Sequence, residues 1–320
     1  MATITTMRTT MKAVRIHSFG GPEVLQLEEV QIPKPQPDEV LVRVHAVGIN
    51  PVDWKIREGH MGMGPLPQFI GSDFSGVVEL TGSSVRDFRT DDAVFGTVAD
   101  ESGSYAEYAL ATVSQIARKP LSLDHVHAAA LPIASLTAWQ ALVDHAHLQA
   151  DQTVLIHGAA GGVGSFAVQF AAYKGAHIIG TASVQNHHYL RELGADEVID
   201  YRSVHFEDVV SDVDVILDTQ GGQTQERSWR VLKRGGILLS IVQPPDEQRA
   251  KDFGARAMFV RCDHRRGDQL ARIADLVANG QVKVNVEKVM PLSQAREAQQ
   301  MSQGGHLHGK VVLVTEVSGH

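Results

Sequence analysis

Residues 154–164 read VLIHGAAGGVG, and SFAVQFAAYKG follows at once over 165–175. Val154, Leu155 and Ile156 make a short apolar run suited to a buried strand. Gly158, Gly161, Gly162 and Gly164 allow a tight turn and a close approach of backbone to a bound group. Beyond them Phe166, Val168, Gln169, Ala171 and Ala172 continue at helical spacing. A strand, a glycine turn and a helix in that order leave unpaired N–H groups at the helix start, where dinucleotide-binding folds hold a pyrophosphate. Ala159 and Ala160 shift the register away from an ideal G-x-G-x-x-G, and a Gly-rich turn without any ligand has a similar composition. The elements on either side therefore carry the reading.

Downstream, strand and helix alternate. HIIGT, EVID, DVILDT, GGILLSI and ARAMFV read as strands, and NHHYLREL, TQERSWRVLK and DQLARIADLVANG as helices. That alternation predicts a mostly parallel sheet with helices on both faces. Upstream, the first 120 residues favour short strands and turns. MKAVRI and VLQLEEV suggest a hairpin across Gly20, Gly21 and Pro22, and EVLVRVHAVGI alternates with the period of a strand. DFSGVVEL, DAVFGTV and SYAEYALA add further short strands, and HVHAAALPIASLTAWQALVDHAHL turns helical, interrupted at Pro132. A helix over PLSQAREAQQMSQ and a strand over GKVVLVT close the chain. The terminal strand could complete the first domain and leave the middle one inserted, though pattern alone does not establish that topology.

With 320 residues, 43% hydrophobic and 21% charged, the chain is globular and long enough for two domains. A formal net charge of −8 gives no general attraction to nucleic acid or to an anionic membrane. Two stretches, 125–143 and 154–172, lack Asp, Glu, Lys and Arg. Histidines, Pro132 and the glycine turn mark them as buried elements rather than membrane spans. A single cysteine, Cys262, excludes an intrachain disulfide framework and a cysteine-rich zinc lobe. The N-terminus lacks the apolar core of a secretory signal, so the expectation is a cytoplasmic protein with a short extension before Met11.

The end of the second strand in a dinucleotide-binding unit selects the cofactor: an acid there binds free ribose hydroxyls and repels a 2′-phosphate. HIIGT ends at Thr181, followed by Ala182 and Ser183, and the acid is absent. Asn186, His187, His188, Arg191, Tyr201 and Arg202 follow as donors or cations. The group favours NADPH over NADH. Individually, Ser183 and Asn186 suit either that contact or helix capping, and Arg191 suits either a phosphate or a solvated helix face. Tyr201 either meets the phosphate or packs locally. Sixteen histidines suggest metal, yet none lies in H-E-x-x-H and no cysteine cluster joins them, so no zinc is expected. His306 and His308 read as loop or cofactor rim.

From Met11 to Thr315 the chain resembles the medium-chain dehydrogenase/reductase superfamily, in its zinc-free quinone oxidoreductase-like branch. The resemblance rests on MKAVRIHSFGGPEVL, VGINPVDWKIREG, PQFIGSDFSGVV, AAALPIASLTAWQAL, AAGGVG, LGADEVIDY and GKVVLVT, in that order. It implies an α/β protein with a GroES-like β-rich catalytic domain, residues 11–134 and 288–320, and a Rossmann NADP-binding domain, residues 135–287. Zinc-dependent relatives place a cysteine where Asn50 stands and His-Glu where Ser72 and Asp73 stand, so both catalytic ligand positions are altered.

Residue matching puts Asn50 near the nicotinamide and the substrate carbonyl, with Asp53 supporting the pocket. Trp54 replaces a tyrosine of some relatives, and either stacks on a planar substrate or packs between domains. Thr137 would lie beside the nicotinamide. Ala160, Gly161, Gly162, Val163 and Gly164 would form the pyrophosphate loop. Ser183, Asn186 (a lysine in some relatives) and Tyr201 would meet the adenine-ribose phosphate, with Arg191 counted beside them for its charge rather than by matching. Gly309 and Lys310 would approach from the closing tail, unless Lys310, like Asp53, is scaffold. The implied activity is NADPH-dependent hydride transfer to a quinone or an α,β-unsaturated carbonyl compound, in a homodimer. The rival is a nucleotide-binding regulatory or structural protein with little turnover.

Overall fold

Val154 lies between Ile178 and Val215 at the centre of a six-stranded, all-parallel sheet. The computed structural model describes residues 8–61, 65–100, 102–305 and 307–316. Most of the N-terminal extension before Met11, and His306, lie outside the described residues. Across the sheet the strands run Glu197–Asp200, His177–Ala182, Thr153–His157, Val213–Asp218, Leu232–Ser240 and Arg256–Phe259. Numbered along the chain from the glycine-turn strand, that order is 3-2-1-4-5-6, the doubly wound arrangement whose reversal lies between Thr153–His157 and Val213–Asp218.

Side-chain alternation explains why these strands are apolar without interruption. Val154 and Ile156 point into one core with Trp139, Phe166 and Phe170, whereas Leu155 points into another with Ile216, Leu238 and Trp229. All three residues are fully buried, and each contributes roughly 1.5–3 kcal/mol of burial. The helix Gly162–Lys174 follows the turn and stops at Gly175, which adopts a left-handed φ of 78°.

The N-terminal third is β-rich. Thr10–Ile16 and Leu25–Gln31 form the expected antiparallel hairpin. Glu39–Gly48 is the hub of a second sheet, paired antiparallel with Asp73–Thr81, Tyr108–Thr112 and Lys310–Val314. Lys310–Val314 also runs parallel to Val286–Pro291. The last strand of the chain thus joins the β-rich lobe, and the parallel sheet is an insertion between its two parts. Pro132 sits at the first turn of helix Pro132–Trp139, where its missing N–H costs nothing, and the preceding helix ends at Ala129.

One element differs from expectation. TQERSWRVLK is not helical throughout: the helix Gly222–Ser228 stops and the strand Leu232–Ser240 starts within that segment. Val231 and Leu232 are buried against the neighbouring strand, with Val213 paired to Leu232. Tertiary packing here overrides helical propensity.

Candidate active site

A cleft of about 1160 Å³ runs over the carboxyl ends of the parallel strands and is walled opposite by the β-rich lobe. Its floor is the glycine turn. Gly158 has a φ of 63°, a conformation that suits glycine. A Cβ on Gly164 would lie 2.3 Å from the Gly158 carbonyl oxygen, so the helix can approach the strand this closely only without a side chain. At Gly162 the nearest atom to a Cβ would be Lys310 Cδ, at 3.2 Å. The closing strand of one lobe therefore reaches the phosphate-type turn of the other.

Of the expected residues, Asn50, Thr137, Ala160, Gly161, Gly162, Val163, Gly164, Ser183, Asn186, Tyr201, Gly309 and Lys310 all line this cleft. Ala182 pairs with Asp200, so Ser183 and Tyr201 leave adjacent strand ends side by side. Asn186 is buried; its Nδ2 donates to Ser183 Oγ at 3.3 Å, and its Oδ1 meets no donor among the described residues. Thr137 donates its hydroxyl back to the Ile133 carbonyl at 2.6 Å. Gly309 has a φ of 99°, and a Cβ there would strike the Asn285 carbonyl oxygen at 2.3 Å.

Three residues lie elsewhere. Arg191 is an exposed position on helix His187–Glu192, outside the cleft wall. Trp54 is half-buried beneath Lys55, whose Nζ lies 5.6 Å from the ring centroid, and it too is absent from the wall. Asp53 is wholly buried behind Asn50. Its Oδ2 accepts from the Asn50 backbone N–H at 2.8 Å and from the Tyr105 hydroxyl at 3.0 Å, a capping box that starts helix Pro51–Arg57.

Charge partners organise the end of the cleft at Asn50. Asn50 Nδ2 donates to Asp73 Oδ2 at 2.8 Å, Asn50 Oδ1 accepts from the Lys310 ammonium, and Lys310 Nζ also donates to the Ile49 carbonyl at 2.7 Å. Lys310 Nζ stands 3.8 Å from Asp73 Oδ2, and the Ile133 N–H donates to Asp73 Oδ1 at 3.1 Å. An ammonium on one side and a carboxylate on the other leave the Asn50 amide only one orientation. Burial pushes Asp73 up to about 6 and Asp53 up to about 7, and it lowers Lys310.

For Asp53 the native carboxyl holds its proton more firmly than the unfolded one. Its contribution to stability is complete below 3.8 and is lost as pH rises through about 7. We expect the stability difference between wild type and Asp53→Asn to move in the variant's favour across that window. At about 1.4 kcal/mol per pH unit the change amounts to roughly 3–5 kcal/mol. Urea unfolding of both proteins as a function of pH measures it; parallel curves would mean that Asp53 is ionised throughout.

Sequence reasoning missed several wall residues. Thr219, Gln220 and Arg227 follow the fourth strand, and Val260, Arg261 and Cys262 follow the sixth. None belongs to a local motif; only the strand order brings them to the mouth. Burial lifts the Cys262 thiol to about 12, which keeps it protonated and unreactive. His157 bridges Thr181 Oγ1 at 3.2 Å and Ser228 Oγ at 2.9 Å, and burial drops its pKa to about 4. The ring is a neutral strut tying the second strand to the helix after the fourth.

Two family descriptions match the chain: Alcohol dehydrogenase GroES-like domain over residues 36–121, and Zinc-binding dehydrogenase over residues 193–313. The quinone oxidoreductase of Sus scrofa is 40% identical over 240 residues, spanning 72% of this chain and 73% of that protein. The structure of the quinone oxidoreductase from Coxiella burnetii gives a TM-score of 0.89 at 33% identity, over 95% of this chain and 99% of that one. The Escherichia coli quinone oxidoreductase complexed with NADPH gives 0.88 at 28% identity, over 95% and 99%. Among the described residues no three His, Cys, Asp or Glu side chains gather as a metal site requires. The Lys310 ammonium already stands between Asn50 and Asp73, at two of the positions where zinc-dependent relatives carry ligands, so these residues do not fit zinc. The chain belongs to the medium-chain dehydrogenase/reductase superfamily, in its zinc-free, quinone oxidoreductase-like branch.

Proposed function

We propose that this protein is a zinc-independent, NADPH-dependent oxidoreductase that reduces quinones or α,β-unsaturated carbonyl compounds. The observation that carries this reading is a cleft lined both by the glycine turn and by Asn50 and Lys310, with Asp73 buried behind them. The residues fit the cofactor: the turn offers the N–H groups of a helix start, and Asn186 carries a buried oxygen awaiting a donor. NADPH, when bound, supplies a hydride to an electrophilic carbon of the substrate. The first turn of Gly162–Lys174 would hold the pyrophosphate, and Ser183, Asn186 and Tyr201 the adenine ribose. Thr137, Gly309 and Lys310 would border the nicotinamide end. Asp53 and Trp54 serve from behind the wall, Asp53 by fixing the backbone that presents Asn50.

Asn50 has a second Nδ2 hydrogen beyond the one given to Asp73, and the residue lines the cleft. That hydrogen would bind the substrate carbonyl oxygen as charge develops there, held in place by Asp73 and Lys310. The final proton comes from water entering the open cleft. Loss of such a donor costs about 100-fold in rate. Asn50→Ala should therefore lower kcat by about that factor with NADPH affinity nearly unchanged, and full retained turnover would remove Asn50 from the mechanism. The function itself is tested by NADPH oxidation in chelator-treated protein, with small quinones, large quinones and aliphatic enones. Saturable NADPH binding without turnover on any of them would favour a regulatory or structural binding role.

The lobes are proposed as 11–134 with 288–320, and 135–287, with the joints inside helix Pro132–Trp139 and strand Val286–Pro291. A homodimer is proposed through Arg256–Phe259, an edge strand of the parallel sheet whose Met258 is 40% exposed. Met258→Asp should shift sedimentation from dimer to monomer; an unchanged dimer would place the interface elsewhere. No described helix is long and apolar enough to cross a membrane. Cytoplasmic residence and the lack of a nucleic-acid partner are further proposals, supported by the net charge of −8 and the lone cysteine.

A further inference from the structure

The adenine end of the cleft poses a charge problem. Asn186 stands where some NADPH-binding relatives carry lysine, and neither Arg191 nor Arg202 lines the wall. The lining ammonium and guanidinium groups belong to Lys55, Arg227, Arg261 and Lys310. Lys55 stems from the β-rich lobe, Arg261 follows the sixth strand at the far side of the sheet, and Lys310 is committed to Ile49 and Asn50. Arg227 remains for the half of the sheet formed by the first three strands.

Its placement is built rather than incidental. Arg227 sits in the last turn of the helix Gly222–Ser228 after the fourth strand, yet its guanidinium crosses to the segment after the third, where Cζ lies 5.2 Å from the Phe206 ring centroid. Phe206 in turn packs edge-on against His157, with ring centroids 4.6 Å apart, and His157 holds Thr181 at the second-strand end. Nη1 meets His205 Nδ1 at 3.0 Å and the Glu207 carboxylate at 3.2 Å, while Nη2 donates to no described residue. The side chain is 33% exposed, enough to be reached from the cleft. Stacking on Phe206 and the bond to Glu207 orient the fork, and its open edge is a ready donor to a phosphate.

We infer that Arg227 is the cation that recognises the 2′-phosphate of NADPH, taking over from the lysine this chain lacks. The inference rests on the NADPH reading above, and the test separates the two. Dissociation constants for NADPH and NADH are measured by direct binding, at low and high salt, for wild type, Arg227→Gln and Arg227→Lys. Arg227→Gln should weaken NADPH about 10- to 100-fold and leave NADH unchanged, the loss expected for a hydrogen bond to a charged group. Arg227→Lys should recover part of that loss, because charge survives without the fork. In wild type the preference for NADPH should shrink with salt, and in Arg227→Gln it should be flat. Unchanged NADH binding also shows that the variant folds. Equal losses for both dinucleotides, or an intact NADPH preference in Arg227→Gln, would overturn the assignment alone. A wild type that binds NADH as tightly as NADPH would overturn the parent reading and this assignment with it.

Discussion

Lys310→Met should destabilise the fold by about 3–5 kcal/mol at pH values above neutrality, the cost of stranding a buried charge. Asp73 is fully buried, and Lys310 is the cation beside it, at 3.8 Å. Without the ammonium, Asp73 must either stay ionised in a dry site or take up a proton, so its pKa rises further from about 6. The sign follows. A raised native pKa gives stability that is present at low pH and lost as pH rises, so the variant's deficit should be small in acid and full in alkali. Urea midpoints for wild type and variant at acid and alkaline pH measure it. The double variant Asp73→Asn with Lys310→Met should recover much of the loss, because the stranded carboxylate is gone. A deficit that does not change with pH would mean that Lys310 acts by packing its stem against Gly162 rather than by its charge.

Gly162→Asp should reduce NADPH affinity by about 100-fold or more while leaving folding stability nearly intact. The new Cβ comes within 3.2 Å of Lys310 Cδ, a methylene that needs to shift by only a few tenths of an ångström while its ammonium stays bound. A carboxylate in the first turn of Gly162–Lys174 even suits the helix dipole. It also puts negative charge where the proposed pyrophosphate site offers N–H donors, and two like charges at that range cost several kcal/mol in a partly desolvated cleft. Titration of NADPH and a thermal melt on the same sample separate the effects. Neighbouring glycines set the scale: Gly161 has only the Gly158 carbonyl oxygen near, at 3.3 Å, whereas Gly164 has it at 2.3 Å. Gly161→Ala should thus be mild, and Gly164→Ala should lose stability and binding together. Unaltered affinity in Gly162→Asp would move the pyrophosphate off this turn.

Gly162 and Lys310 are legible in the sequence to different degrees. Gly162 could be found from its neighbours in sequence, because a strand, a turn and a helix are local and their period shows in a dozen residues. Lys310 could be matched only by family resemblance, and whether it was scaffold or site stayed open. In the structure its stem packs on the glycine turn and its ammonium holds Asn50. Arg191 shows the reverse. As a cation just after the second strand it suited a phosphate, yet its helix turns it to solvent. Arg227 lies 36 residues further along the chain and has no motif, and it reaches the same end of the cleft through Phe206 and His157. The misjudged end of TQERSWRVLK has a like cause, since Val231 and Leu232 follow the demand of the neighbouring strand rather than their own preference.

Fold class and the glycine turn could be read from residue order, because short-range periodicity and glycine placement dictate local backbone; the altered zinc positions came from family resemblance, and the insertion of the parallel sheet is settled by the pairing of the last strand. Which charges neutralise which could not be read from residue order. Asp53, Asp73, Asn50 and Lys310 come from segments far apart in the chain, and a carboxylate's ionisation depends on how deeply folding buries it and on what folding sets beside it. That arrangement, and with it the polar end of the cleft, exists only once the last strand has closed against Glu39–Gly48.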